Sequence, residues 1–384
     1  MGSDRIVLVL GGGIGGIVAA RVLRKKLPSD ARVVLVDRED TTVFAPSLLW
    51  LMSGDRMLQA ISRGRGRLER NGIEFLRGEA EGLDADLRTI RVDGRDIGFE
   101  RLVVALGVQT APEMLPGLGE EAINIYAPDG AIQAGRALRA FEGGRVAVVI
   151  AKLPYKCPAA PNEAAFIAEA MLRRRGVKAA EVSLYTPEPF PMPTAGEEAG
   201  EAVAGMLAER GIALHTGMVL QEVDASTKEL VFQGGQRASY DLLLAVPPHR
   251  TAHVVAGSGL SNESGFMPVD AVTLATQARG IHAIGDVTQI PIAGGKFLPK
   301  AGVFAKAQAL VVASRIADDL AGREPTATFD GHGSCFVDMG DGVAAFAAGD
   351  FYALGAPTVS LRRPSRRWHL AKVAYEKYWL ARWA

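Results

Sequence analysis

Cysteine is almost absent from this chain, with two residues in 384, Cys157 and Cys335. That scarcity excludes a disulfide scaffold and points to a reducing compartment, or to thiols kept for chemistry. The six histidines never fall at ligand spacing beside either cysteine, so no metal site is expected. Charge of one sign is also lacking: 43 Lys and Arg balance 43 Asp and Glu, and no global field would recruit nucleic acid. No apolar run approaches the roughly 18 residues of a membrane-crossing helix. The opening MGSDR leads straight into a strand-like segment, without a charged leader or cleavage site, so no secretion signal is expected. What the chain does have is core material. Hydrophobic residues make up 48% and charged residues 22%, and at about 150 residues per domain the length predicts two domains.

The clearest unit comes first. The apolar run Ile6–Leu10 enters a glycine turn at 11–16, a helix-compatible stretch follows to Leu27, and a second strand, Arg32–Val36, ends at Asp37. This is strand, turn, helix, strand and acid, with Gly11, Gly13 and Gly16 at dinucleotide-binding spacing. Gly11 permits the tight turn, Gly13 lets backbone approach a pyrophosphate, and Gly16 allows close helix–strand packing. The helix N-terminus offers free N–H groups to phosphate. Asp37, 21 residues beyond Gly16, is placed to accept from the adenosine ribose.

The fingerprint alone does not separate FAD from NAD. Two later strands do. Phe99–Gln109 ends near Gly107, and Ala278–Val287 ends in Gly285-Asp286, the pair with which two-domain flavoproteins set a carboxylate against the ribityl chain. FAD is therefore expected, in a discontinuous unit of residues 1–110 and 240–320. Residues 111–239 form a second αβ unit whose first strand is Arg145–Ile150. The turn after it, 151–166, has no glycine and three prolines (Pro154, Pro158, Pro161). Proline removes N–H donors and side chains block close approach, so this unit is expected to have lost its pyridine nucleotide. Cys157 sits in that altered turn, at the crevice edge where α/β sheets bind ligands.

The FAD fingerprint, PYKCPAAPNE (154–163), Gly285-Asp286, LPKAGVFAKAQA (298–309) and Cys335 resemble the sulfide:quinone oxidoreductases, which share a fold with flavocytochrome c sulfide dehydrogenases and type II NADH dehydrogenases. The resemblance implies an α/β fold of two Rossmann-like, doubly wound dinucleotide-binding domains, arranged as in glutathione reductase. It implies that Cys157 and Cys335 are the redox pair beside the flavin and that Glu163 is an acid near them. It also implies that Lys300 steadies reduced flavin from its pyrimidine edge and that Pro46 packs against the isoalloxazine. Hydrogen sulfide would attack at Cys335, and two electrons would leave through Cys157 to FAD and on to membrane quinone. A third cysteine common in that family is missing from 123–130, and no cysteine is spare for a covalent link, so the flavin should be non-covalent. The alternatives are a flavocytochrome c subunit passing electrons to haem, a type II NADH dehydrogenase-like enzyme, or a non-catalytic flavin redox sensor. A homo-oligomer is neither specified nor excluded.

Residues 321–384 differ from the rest. Between Arg362 and Arg382 lie seven basic residues and one acid, with three of the four tryptophans at 368, 379 and 383. At about 100° per residue, Trp368, Tyr375, Trp379 and Trp383 fall within an arc of about 80°. An amphipathic helix seated on the cytoplasmic membrane surface is expected, making the protein peripheral (monotopic), with Lys372 as the one cation on the aromatic face. Phe346 and Phe351 are candidates for lining a quinone passage.

Overall fold

The computed structural model describes residues 5–384, so Met1–Asp4, and with them the start of any leader, lie outside the described residues. Ile6–Leu10 (β1) is a strand with Val7–Leu10 fully buried, as expected for a continuous apolar run in a parallel sheet. Helix α1 spans Ile14–Lys26 and β2 spans Arg32–Asp37. They belong to a five-stranded sheet in the order Ile281–Ala283, Arg101–Val104, β1, β2, Glu74–Arg77, with every neighbouring pair parallel.

A second five-stranded parallel sheet runs Ile123–Asn124, Leu242–Val246, Gly144–Ile150, Ala180–Tyr185, Ala213–His215. Each sheet has a three-stranded antiparallel meander, at 80–98 and at 220–239. The two halves thus repeat one plan. The expected boundary at 240 falls too early, because Leu242–Val246 pairs with Gly144–Ile150 inside the second sheet. The expected strand Phe99–Gln109 is shortened to Arg101–Val104, since Gly107 takes φ +62° and turns the chain away.

Residues 321–384 contain more than a helix. Strands His332–Asp338, Ala344–Asp350 and Thr358–Ser365 form an antiparallel sheet, and only Arg366–Arg382 is helical. Ser365 caps that closing helix by accepting from the Trp368 N–H. The helix packs on the sheet and on the first domain, with Trp379 (0% exposed), Leu380 and Trp383 in the core cluster of that domain. The expectation that its aromatic face meets a membrane is therefore overturned. Trp379 stacks near Phe44, with ring centroids 5.0 Å apart, because burying two indoles in the protein removes more apolar surface from water than leaving them at its edge. The segregation expected of an amphipathic helix is absent too: Lys372 and Glu376 are buried beside the indoles, while Leu370 and Tyr378 point outward. Phe351 belongs to the same core, edge-on to Phe304 at 5.1 Å, whereas Phe346 stacks on Trp368 at 4.6 Å.

Candidate functional site

The turn between β1 and α1 meets each demand read from its spacing. Gly11 has φ +99°, and a Cβ there would lie 2.4 Å from the Ala105 carbonyl oxygen. A Cβ on Gly16 would sit 1.7 Å from the Gly11 oxygen, so helix and strand approach too closely for any side chain. At Gly13 nothing lies within 4 Å, leaving backbone open to the cleft. These three glycines need glycine for three different reasons.

The cleft has a volume of about 500 Å³ and reaches from the end of β2 to the second sheet. Asp37 lies at its outer end. Its Oδ2 accepts the Gly12 N–H at 2.5 Å and its Oδ1 accepts from Arg65 Nη1 at 2.9 Å. Gly107 and Pro46, the latter in a short turn over Ala45–Ser47, line the middle. Gly285 (φ +73°) turns the chain so that Asp286 follows at the inner end. The Asp286 Oδ1 is buried without a hydrogen-bond partner among the described residues, and burial raises the proton affinity of this carboxyl while Lys156 and Lys300 lower it. An orphaned buried acceptor and an unblocked glycine in one elongated cleft fit a dinucleotide with a hydroxylated chain, which is the expected FAD.

Lys300 is buried beside Asp286. Its Nζ donates to the Asp286 and Thr288 carbonyl oxygens at 2.8 and 2.9 Å, and it lies 3.7 Å from the centroid of the Phe266 ring. Burial pulls the ammonium down to about 8, against the pull of Asp286. The backbone of the same residue accepts the Cys157 N–H at 2.6 Å. Cys157 itself has φ +55°, a left-handed conformation that a non-glycine residue holds only when its surroundings impose it. The Tyr126 hydroxyl, donating to the Cys157 carbonyl at 3.2 Å, is part of that constraint.

Cys335 comes from the middle of strand His332–Asp338 and reaches Cys157. Both thiols are free and half-buried. The Cys335 thiol donates to the Phe336 carbonyl at 3.3 Å, and the neighbouring Cys157 thiol together with burial holds it well above the ordinary thiol range. A separation of 178 residues in sequence is closed because the third sheet packs on helix Ala160–Arg174, which begins just after Cys157.

Glu163, on the first turn of that helix, is buried rather than a surface acid. Its Oε1 accepts the Asp338 N–H at 2.7 Å and Lys372 Nζ at 2.9 Å, and Lys372 also stands 3.5 Å from Asp338 Oδ2. One buried ammonium thus serves two carboxylates. Burial raises Glu163, against Lys372, whereas Asp338 falls to about 2 because Lys372, His369 and the Gly340 N–H together outweigh its burial. Despite burial, the two acids hold the Lys372 ammonium above its usual range. Lys372 shares the aromatic stripe of the closing helix, and because that stripe faces the core rather than a membrane, the ammonium is buried with it. A second contact from the closing helix joins Glu376 to Ser47 Oγ at 2.5 Å and Arg56 Nε at 2.9 Å, beside Pro46.

The turn that replaces the second glycine loop is also filled from within. The Tyr155 hydroxyl donates at 3.0 Å to Glu188, both buried, and burial raises that carboxyl to about 7. Lys152, near Cys157 in sequence, is exposed, while Lys156 lines the cleft. No spacing along the chain marks Arg65, Asp338, Tyr155 or Glu188, since each acts through a contact with a distant segment.

Among relatives, mouse mitochondrial sulfide:quinone oxidoreductase is 24% identical over 362 residues, covering 90% of this chain and 78% of that protein. The sulfide-quinone reductase of Aquifex aeolicus is 25% identical over 398 residues, covering 97% and 90%. The solved structure of the Aquifex aeolicus sulfide:quinone oxidoreductase superposes with a TM-score of 0.89 at 24% identity, covering 98% of this chain and 90% of that one, and so shares its fold. The pyridine nucleotide-disulphide oxidoreductase family model matches residues 5–309. With two parallel sheets, a dinucleotide cleft between them and that match over most of its length, the chain belongs to the pyridine nucleotide-disulphide oxidoreductase family.

Proposed function

We propose that this chain is a sulfide:quinone oxidoreductase that holds FAD non-covalently, oxidises hydrogen sulfide at a Cys157–Cys335 pair and passes two electrons to quinone. One observation carries the reading: Cys157 lines the dinucleotide cleft, in the turn where a pyridine-nucleotide loop would otherwise stand, and Cys335 from a distant segment is its neighbour. The similarity to sulfide:quinone oxidoreductases over nearly the whole chain supports it.

The cofactor unit comprises residues 1–110 with the segment after Leu242–Val246, and the second unit carries Cys157. Gly11, Gly13, Gly16 and Asp37 take the adenosine and diphosphate end; Pro46, Gly107, Gly285 and Asp286 take the ribityl and ring end. Bound flavin supplies the two-electron carrier between thiols and quinone. The protein's part is sulfur chemistry. Hydrosulfide bonds to Cys335 sulfur in the oxidised pair, the Cys157–Cys335 bond breaks, and its electron pair leaves on Cys157. A second hydrosulfide then takes the added sulfur from Cys335 as polysulfide. Glu163, buried and raised, accepts protons released as hydrogen sulfide is consumed. The Lys300 ammonium, buried beside Asp286, would offset negative charge on a flavin held in the cleft. Cys157→Ala is expected to bind FAD with an unchanged spectrum and to show no flavin bleaching by sulfide; bleaching at the wild-type rate would refute the assignment.

Among the described residues no helix is long and apolar enough to cross a membrane. Quinone is lipid-soluble, so a surface contact is required. The outward face of the closing helix offers it: Leu370 and Tyr378 are 63% and 51% exposed, flanked by Arg366, Arg367, Lys377 and Arg382. Replacing Leu370 and Tyr378 together by Asp is expected to release the protein from anionic liposomes while leaving sulfide-dependent flavin bleaching intact. Undiminished sedimentation with the liposomes would exclude this face.

A further inference from the structure

Gly12 is not one of the three fingerprint glycines, and the motif leaves its position free. The structure imposes a separate demand there. A Cβ on Gly12 would lie 2.2 Å from Arg65 Nε and 2.7 Å from its Cζ. Arg65 is 7% exposed and cannot swing aside without losing every bond it makes. Its Nη1 donates to Asp37 Oδ1 at 2.9 Å and to the Glu39 carbonyl. Its Nη2 donates to the Gly12 carbonyl at 2.9 Å, and Nε donates to Thr42 Oγ1 at 2.9 Å. Thr42 Oγ1 in turn donates to the same Gly12 carbonyl at 2.9 Å. One guanidinium therefore ties the glycine turn to the end of β2 and to the strand beyond it.

The carboxylate it holds is already largely committed. Asp37 Oδ1 accepts from Arg65 Nη1 and from the Glu39 N–H at 2.8 Å, and Oδ2 accepts the Gly12 N–H at 2.5 Å. A carboxylate offers about four lone-pair positions, so one on Oδ2 is left. Both Asp37 and Arg65 line the cleft, close to the turn where a diphosphate would sit. There an unpaired carboxylate would repel the phosphates, and a paired one in fixed orientation would not.

We propose that Arg65 is a cofactor-positioning residue: it fixes the Asp37 carboxylate for the adenosine ribose, offsets its charge beside the diphosphate, and is the reason the second residue of the turn is glycine. The inference rests on the reading that the cleft holds FAD, and it concerns only the adenosine half of that ligand.

The test is a fluorescence titration of purified apoprotein with FAD and, separately, with FMN, which lacks the adenosine half. Arg65→Ala is expected to weaken FAD at least tenfold while changing FMN less than twofold, so the FAD:FMN affinity ratio falls. Arg65→Lys keeps the charge without the fork and recovers part of the ratio. Gly12→Ala is expected to weaken FAD as Arg65→Ala does, by evicting the guanidinium. The double variant should then bind FAD no worse than Arg65→Ala alone, because the clash has no partner left. Multiplied losses in the double variant, or an unchanged ratio in Arg65→Ala, would overturn the proposal. Melting of each apoprotein separates misfolding from loss of affinity; if Arg65→Ala does not fold, an unchanged ratio in Arg65→Lys overturns it instead. Wild-type protein that takes no FAD would remove the cofactor reading itself, whereas wild type and Arg65→Ala binding FAD equally would remove only the role of Arg65.

Discussion

Lys300 directs its ammonium hydrogens to two carbonyl oxygens and sits against an aromatic face, and among the described residues it donates to no carboxylate. Carbonyls repay less of the desolvation cost than an ion pair would, and this is why its proton is held only to about 8. The charge is present below that value and lost as pH rises through it. Sulfide-dependent flavin reduction by the wild type is therefore expected to slow as pH climbs through about 8, and Lys300→Met is expected to be slow at all pH values without that inflection. Stopped-flow bleaching across pH 6.5–9.5 checks this, and a flat wild-type profile would contradict it. Stability moves in the opposite sense. A lysine whose folded value lies below its unfolded value of about 10.4 opposes folding while charged, so this site adds stability between about 8 and 10.4. Lys300→Met should accordingly raise the urea midpoint at pH 7 even as it impairs the reaction. Such a trade is characteristic of a residue kept for chemistry.

The closing helix shows what an element can do that its residues do not announce. It delivers Lys372 to Glu163 and Asp338, and Glu376 to Ser47 and Arg56, so it braces the thiol pair from one side and the Pro46 turn from the other. Removing one partner of a buried ion pair leaves an uncompensated charge, at a cost of about 3–5 kcal/mol. Lys372→Met is expected to lose stability of that order in urea unfolding at pH 7, and Lys372→Met combined with Glu163→Gln to lose less than the single change. Equal losses in the two variants would show that Glu163 is not the charge left behind. By the same reasoning, deleting 364–384 is a stability experiment before it is a membrane experiment, which is why paired surface substitutions are the cleaner probe of lipid contact. The aromatic spacing of this helix was readable in the sequence, but its direction was not. Trp379 packs against Phe44, more than three hundred residues earlier, and no local pattern distinguishes an indole facing lipid from one facing a core.

At the scale of the whole molecule, two copies of one sheet-and-meander plan face each other across the cleft, and they differ where the chemistry differs. The first keeps its glycine turn. The second has a proline-rich turn without glycine, in which Tyr155 donates to Glu188, and so lacks the open backbone with which the first can meet a dinucleotide. NADH at millimolar concentration is therefore expected not to reduce the bound flavin, while sulfide reduces it within the same instrument run. Rapid bleaching by NADH would return the chain to the NADH-dehydrogenase branch of its fold.

The cofactor turn was legible because it is local: Gly11, Gly13, Gly16 and Asp37 lie within one βαβ unit, and their conformational requirements follow from spacing alone. The missing second glycine loop was legible for the same reason. Packing against distant segments decided the rest. Arg65 reaches Asp37 and Gly12 through tertiary contact, Cys335 reaches Cys157 only when a third sheet docks, and a tail rich in cations turns inward to neutralise two buried acids. Sequence determined which backbone could cradle a dinucleotide, since that depends on φ, ψ and the absence of a Cβ. Tertiary structure alone determined which charges and thiols stand beside it, since burial and pairing are properties of the folded interior and leave no periodic trace along the chain.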